Sequence, residues 1–252
     1  LNYITFTTSG SVELCKNLLM SLRKLNMEKD FIVYCLDEDS FAEISKFECN
    51  SKLFDVSGIG EKFHEYGRGD FRRVTEAKIQ IIINELKDKD SLVYTDCDVV
   101  FRHNPTPFIE HSNEQVKDKE VDIIFASDNP FMTICTGFMH IKNTEKVHEL
   151  FKKYFELSQE YGKQGSECMY DQEIIFEILT KHEPFFNEHG RLVWGIYPTE
   201  FVKNGHLYWN EAETRTGNEA VVHVNFTIGE ENKINRLKDA NLWFVEEKEI
   251  IS

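Results

Sequence analysis

Apolar and polar positions in the first half of the chain switch between two periods. Residues 3–7 (Tyr-Ile-Thr-Phe-Thr) read as a strand, and Leu14, Leu18, Leu22 and Leu25 gather near one face of a helix over residues 12–24. Residues 31–36 form an unbroken apolar run between charged flanks, the pattern of a strand covered on both faces. A short strand is predicted at 51–56. A helix follows over 75–86, with Ile79, Ile82, Ile83 and Leu86 at i, i+3, i+4 and i+7. Further strands are predicted at 92–95, 121–126 and 137–141. This rhythm predicts an α/β fold with a mainly parallel central sheet flanked by helices. In such sheets ligands bind beyond the carboxyl ends of the strands.

The second half is less regular. Residues 144–161 predict a long amphipathic helix whose apolar side is Val147, Leu150, Phe151, Tyr154, Phe155 and Leu157. A second helix is expected at 171–179. Asn204-Gly205, at the centre of 201–209, predicts a hairpin. Residues 221–226 predict a strand and 228–237 a closing helix. The Gly-bearing segments 57–69 and 162–166 are expected to be mobile loops. With no repeat, low-complexity tract or Pro-rich linker, residues 1–252 are read as one domain.

Composition narrows the function classes. The chain has 252 residues, 29 Lys plus Arg against 44 Asp plus Glu, and a formal charge of −15. That balance argues against a surface that gathers nucleic acid or anionic lipid. An anionic substrate would need local help from a few placed cations, helix N-termini or a metal ion. No apolar run approaches the roughly 20 residues of a membrane span, so no transmembrane segment is expected. The opening residues lack the basic and apolar regions of a signal peptide, although a chain starting at Leu1 can have lost a leader. Six scattered cysteines with no CxxC pair favour a reducing, cytoplasmic setting.

The stretch Leu92-Val93-Tyr94-Thr95-Asp96-Cys97-Asp98-Val99-Val100-Phe101 carries the strongest chemical signal. An apolar strand ends, and two carboxylates follow one residue apart. Such a pair repels unless a cation sits between its members. Hard carboxylate oxygens select Mg²⁺ or Mn²⁺, which can be shared with a diphosphate. The plain alternative is a charged turn with both side chains in water. Farther on, strand alternation in Val221-Val222-His223-Val224-Asn225-Phe226 puts His223 and Asn225 on one face. A lone His there is more often structural than ligating. Lys233, near the start of the last helix, either faces solvent or meets a phosphate.

With these motifs the chain resembles the nucleotide-diphospho-sugar transferases of the GT-A fold, a Rossmann-like architecture. That group includes plant cell-wall xylosyl- and arabinosyltransferases and, more distantly, the glycogenin-like retaining transferases. The matching segments run in order: Lys78-Ile79 on its helix, Asp96-Cys97-Asp98, Ala126-Ser127-Asp128, Thr136-Gly137-Phe138-Met139, Asp171-Gln172, and His223-Val224-Asn225-Phe226 with Lys233.

The resemblance implies a metal-dependent, retaining glycosyltransferase. It would move a sugar from a nucleotide sugar, by analogy a UDP-sugar, to a hydroxyl of a carbohydrate or glycoprotein acceptor. Asp96, Asp98 and His223 would hold Mn²⁺ or Mg²⁺ with the diphosphate, and Lys233 would meet that diphosphate. Thr7, Thr8 and Ser9 would border the nucleotide, with Cys97, Thr136 and Gly137 also on the donor side. Lys78 would reach the donor, Asp128 and Asp171 would bind sugar hydroxyls, and Gln172 would lie near the anomeric carbon, making Asp171 and Gln172 the catalytic pair. Cys135 stands where the family usually has Asn.

Several residues also have bland readings. Lys78 can be a stem lying along the apolar stripe with its ammonium in water. Asp171 can be a helix cap. Arg68, Arg72 and Arg73 are read as surface charge. Asn225-Phe226-Thr227 is a formal glycosylation sequon, but a glycan there would obstruct the proposed pocket. Two rival functions remain: a haloacid-dehalogenase-type phosphatase with Asp96 as nucleophile, and a nucleotide-sugar-binding module without turnover. A phosphatase of that type needs its acidic loop after the first strand, whereas here four strand candidates precede it.

Overall fold

A computed structural model describes residues 1–54, 56, 71–115, 121–129, 131, 133–164, 169–181, 186–187 and 190–245. The chain opens with β1 (Tyr3–Thr7), α1 (Val12–Lys24), β2 (Phe31–Cys35), α2 (Glu38–Ile44) and β3 (Asn50–Leu53). Next come α3 (Phe71–Leu86), β4 (Ser91–Thr95), β5 (Val99–Phe101), α4 (Thr106–Gln115), β6 (Ile123–Ser127) and β7 (Ile134–Lys142). Then follow α5 (Glu145–Lys163), α6 (Asp171–Lys181), β8 (Phe186–Asn187), β9 (Gly190–Arg191) and β10 (Trp194–Ile196). The last elements are β11 (Val202–Lys203), α7 (Gly205–Asn210), β12 (Val221–His223) and α8 (Glu230–Asp239). The expected α/β fold with a mostly parallel sheet is what forms. No helix among the described residues is long and apolar enough to cross a membrane.

The chain divides into two compact units. The first holds α3, β4, α4, β6, β7, α5, α6 and β8 to β10. Its strands run in the order β10-β6-β7-β4, with β10 parallel to β6 and β7 antiparallel to both of its neighbours. The apolar stripes foreseen on its helices are its core: Ile79, Ile82 and Leu86 of α3, and Val147, Leu150, Phe151, Tyr154 and Leu157 of α5, are buried. Each fully buried aliphatic side chain of this kind stabilises by about 1.5–3 kcal/mol. Thr144 caps α5 by accepting from the Val147 amide, and its hydroxyl also donates to Asp122 Oδ1 at 3.0 Å. Asp122 in turn receives the Lys146 ammonium at 2.8 Å and the Val193 amide at 2.7 Å, so its buried charge is compensated.

The second unit holds β1, α1, β2, α2, β3, β5, β11, α7, β12 and α8. Its strands β1, β2 and β3 pair in parallel, and β2 is buried almost throughout, as its apolar run requires. Tyr3 stacks on Phe31 at 5.0 Å, and Phe101 meets both rings edge-on. A smaller sheet, β11-β12-β5, lies over a cluster of Leu14, Val100, Tyr208, Val222, Val224, Leu237 and Leu242. Ser21 of α1 is buried and donates to the Leu18 carbonyl while accepting from the Phe101 amide at 3.2 Å, which fixes β5 against α1. Asn17 does the same for the chain's later stretch, bonding the Leu242 carbonyl and the Phe244 amide.

Three expectations change. The Asn204-Gly205 pair does not turn a hairpin: Asn204 accepts from the Leu207 amide at 3.0 Å and caps α7. Asn favours both hairpin turns and helix N-caps, and here the cap is realised. The strand expected over 221–226 stops at His223, and Phe226 adopts a φ of 55°, which no strand permits. Asn225 therefore does not share a strand face with His223. Gly162 belongs to the last turn of α5 rather than to a loop. Residues 57–69, Arg68 among them, and residues 165–168 lie outside the described residues.

His140 of β7 makes the first unit's core sensitive to acid. It is buried, and its Nε2 has no hydrogen-bond partner among the described residues. Burial, with the nearby Lys142 charge, pushes its imidazole down to about 4. Between that value and the unfolded value of about 6.5 the unfolded chain binds the extra proton, so stability is lost as pH falls across that window. We expect a His140→Leu variant, followed by urea unfolding from pH 7 to pH 4, to lose less stability than the parent by up to about 3 kcal/mol. Parallel pH profiles in the two proteins would contradict this.

Candidate active-site clusters

One cluster lies wholly in the second unit, and strand register builds it. In the antiparallel pairing of β12 with β5, His223 stands opposite Val99, and the Val224 amide donates to the Asp98 carbonyl at 3.0 Å. This fixes the imidazole beside the residue just before β5. His223 Nε2 lies 3.1 Å from Asp98 Oδ1 and 3.8 Å from Asp96 Oδ2. Lys233, in the first turn of α8, places Nζ 2.6 Å from Asp98 Oδ2. Gly229 enters that helix with φ +85°, a conformation glycine adopts without strain.

Charges in this cluster hold one another in place. Burial opposes ionisation of Asp98, but the Lys233 ammonium and the His223 imidazole outweigh it and keep the carboxyl well below the usual range. Burial likewise works against the Lys233 charge, and Asp98 more than offsets it, raising the ammonium above its ordinary value. The Cys97 thiol between the two aspartates is pushed up to about 12, first by burial and then by Asp98, so it stays neutral.

The donor set fits a small divalent cation. Asp96, Asp98 and His223 each offer one ligand atom, and these lie within 4.8 Å of one another. Ligands of Mg²⁺ or Mn²⁺ at about 2.1 Å stand about 3 Å apart when adjacent and about 4.2 Å apart when opposite, so the spacing needs only a small closure. Two carboxylates and one imidazole are also the donor types these ions accept.

The neighbouring end of β1 is self-bonded. The Thr7 hydroxyl is buried and lies 3.1 Å from Ser11 Oγ, and the Thr8 amide donates to that same oxygen. The Ser9 amide donates to Asp37 Oδ2 at 2.7 Å, while Asp37 Oδ1 caps α2 through the Ser40 amide. Asp37 was not singled out from the sequence. The string Asp37-Glu38-Asp39-Ser40 is a readable cap signal, but nothing in it foretells the tie to Ser9.

A second cluster lies wholly in the first unit. Between Phe125 and Ala126 the pairing of β6 with β7 shifts: Phe125 faces Met139, yet Ala126 faces Cys135. Thr136 and Gly137 fall in this break. Bulges re-aim side chains, and the freed Thr136 hydroxyl donates to Asp171 Oδ2 at 2.8 Å. Lys78 reaches the same oxygen at 2.8 Å and is buried, so its ammonium is not in water. It also lies 4.7 Å above the Tyr94 ring. Asp171 begins α6 and serves this ion pair. Its neighbour Gln172 donates to Asp128 Oδ2 at 3.1 Å, an oxygen that also accepts from Thr133. Arg72 is half-buried and tied to the Ser158 carbonyl at 2.9 Å, so it is not loose surface charge; Arg73 lies at an exposed position of the same helix.

Comparison with known proteins identifies the family. A family model described as nucleotide-diphospho-sugar transferase matches residues 26–237. The chain belongs to that family. It is 23% identical to a UDP-galactose:fucoside alpha-3-galactosyltransferase of Dictyostelium discoideum, over 96% of this chain and 42% of that protein. It is also 23% identical to a UDP-D-xylose:L-fucose alpha-1,3-D-xylosyltransferase of Arabidopsis thaliana, over 95% of this chain and 71% of that protein. The chain thus spans less than half the length of the first of these relatives. Among solved structures, an active-site mutant of LgtC matches with a TM-score of 0.59 at 14% identity, covering 99% of this chain and 98% of that one. The glycosyltransferase GlyE of Streptococcus pneumoniae TIGR4 matches with a TM-score of 0.59 at 13% identity, covering 98% of this chain and 65% of that one. At these identities the structural likeness speaks for the fold.

Gly205 pins the segment just after His223. Its amide donates to Asn225 Oδ1 at 2.6 Å, and a Cβ at this position would meet the Asn225 carbonyl oxygen at 2.0 Å. That obstacle is backbone and cannot step aside. Gly205→Ala is expected to destabilise the protein by about 1–3 kcal/mol or more, read as a fall in the denaturant midpoint. An unchanged midpoint would show that the segment after β12 is free to shift.

Proposed function

We propose that this chain is a metal-dependent retaining glycosyltransferase that moves a sugar from a UDP-sugar to a hydroxyl of a carbohydrate or glycoprotein acceptor. The observation that carries the reading is the convergence of Asp96, Asp98 and His223, with Lys233 beside them, in a nucleotide-diphospho-sugar transferase. UDP-sugar donors appear in the names of both relatives, which supports the same class here. The reading takes residues 1–252 as one transferase domain. It also includes a reducing, cytoplasmic setting, consistent with five free cysteines among the described residues.

Each residue has a stated task. Asp96, Asp98 and His223 are the ligands for Mn²⁺ or Mg²⁺. When bound, that cation offsets the diphosphate and stabilises the charge that develops on its leaving oxygen, an effect of several kcal/mol. Lys233 adds a second positive charge for the same phosphates, held by Asp98 until they arrive. Thr7, Thr8 and Ser9 border the nucleotide with backbone and side chains already fixed by Ser11 and Asp37, so little ordering entropy remains to be lost on binding. In the first unit, Asp128 and Asp171 accept hydrogen bonds from sugar hydroxyls. Gln172, positioned through Asp128, faces the anomeric carbon.

The phosphatase alternative loses its footing on topology and family. Asp96 follows the fourth strand of the chain, and the family match runs across both units. A generic phosphate ester incubated with Mg²⁺ should be left intact.

The test is thermal unfolding with UDP, with and without Mn²⁺. Ligand at 100 times its Kd stabilises the folded state by about 2.7 kcal/mol. The parent protein should gain a clear Tm rise with UDP and Mn²⁺ together, and Asp98→Ala should remove it. Equal shifts in both proteins would defeat the metal assignment. Saturable binding with no UDP release from any UDP-sugar would identify a binding module instead.

A further inference from the structure

The buried ion pair of the first unit gives Asp171 two unlike oxygens. Oδ2 is engaged twice, by Lys78 Nζ at 2.8 Å and by the Thr136 hydroxyl at 2.8 Å. Thr136 Oγ1 in turn accepts from Lys78 Nζ at 3.2 Å, closing a three-membered ring of contacts. Oδ1 makes no hydrogen bond among the described residues, and the Asp171 side chain is 6% exposed, so this oxygen keeps its acceptor capacity while its twin is locked.

We infer that Lys78 and Thr136 are positioning residues, which act on the transferred sugar through Asp171 and present its Oδ1 to a sugar hydroxyl. The inference rests on the glycosyl-transfer reading and assigns these two residues a task other than direct contact with the donor. Three observations support it. First, the Lys78 side chain is only 5% exposed, and its ammonium is already shared among Asp171, Thr136 and the face of Tyr94. Turning it outward would leave the Asp171 carboxylate buried and uncompensated, a strongly unfavourable state. Second, the register break in β7 delivers the Thr136 hydroxyl to Oδ2, so two elements far apart in sequence fix one carboxylate plane. Third, the ion pair is neutral overall. A carboxylate so paired can accept a hydroxyl without adding net negative charge against an anionic donor.

Pure positioning predicts an interaction pattern that direct contact does not. Residues acting as one unit give non-additive losses, whereas independent contacts multiply. The experiment follows UDP release from UDP-galactose and UDP-xylose with Mn²⁺, in the parent, Lys78→Met, Asp171→Asn and the double variant. Misplacing a reacting group by about 1 Å costs on the order of 100-fold, so each single variant should lose kcat/KM on that scale. The double variant should be no worse than Asp171→Asn alone. Thr136→Val, which keeps the ion pair, should show a smaller loss in kcat. UDP affinity, which reads the second unit's cluster, should be unchanged throughout and guards against a misfolded variant.

Losses that multiply in the double variant would show that Lys78 touches the donor itself, and would overturn the inference alone. Loss of UDP affinity together with turnover in Lys78→Met and Thr136→Val would reduce both residues to structural supports. No UDP release by the unaltered protein would overturn the glycosyl-transfer reading and this inference with it.

Discussion

Everything in the second unit's cluster depends on the register of β12 against β5. His223 opposite Val99 is the pairing that brings an imidazole to within 3.1 Å of Asp98, across 125 residues of chain. Side chains alternate faces along a strand, so a slip of one residue would turn His223 to the opposite face and put Val222 or Val224 in its place. The register is secured by what lies on the other face. Val222, Val224 and Val100 are buried together with Leu14 and Leu237, and exposing that set would cost several kcal/mol. The donor set is therefore held by packing more than by its own hydrogen bonds.

How much of this was legible in the sequence depended on the range of the forces involved. Local periodicity located the helices well, because an apolar stripe is written within one segment. Residues 12–24 form α1 as read, and Thr144 is the cap of α5 rather than its first residue. The cluster of Asp96, Asp98 and His223 was also readable, since an acidic pair at a strand end and a distant imidazole match an ordered family pattern. What escaped was decided by tertiary contacts. Asn204-Gly205 carries the same letters whether it turns a hairpin or caps a helix. The choice was made by Asn225, whose side chain takes the Gly205 amide and whose backbone leaves no room for a Cβ. The link from Asp37 to Ser9 and the register break that frees Thr136 have no local signature either.

The acidic balance of the chain explains how its buried carboxylates are managed. With a formal charge of −15, background repulsion works against any further concentrated negative charge. Three of the buried carboxylates described above have their own cation, Lys233 for Asp98, Lys78 for Asp171 and Lys146 for Asp122, and Arg102 does the same for the buried Glu219, while Asp128 is held by Thr133 and Gln172. Removing one partner from such a pair costs about 3–5 kcal/mol, because the remaining charge is left without compensation. The pairs thus set which carboxylate atoms remain open to a ligand.

On that last point the two clusters differ. Both oxygens of Asp98 are occupied, Oδ1 by His223 and Oδ2 by Lys233. A ligand that takes either oxygen competes with a bond already made there, and the exchange is most favourable where a displaced cation would find a new anion. On the proposed reading, a divalent ion held by Asp98 together with a diphosphate would satisfy that condition, since Lys233 would then have a phosphate to pair with beside the carboxylate. Asp171 meets the opposite condition: its Oδ1 can accept a neutral hydroxyl with nothing displaced. One cluster is built to exchange charge and the other to hold still, and that division follows from which carboxylate oxygens the protein itself has already used.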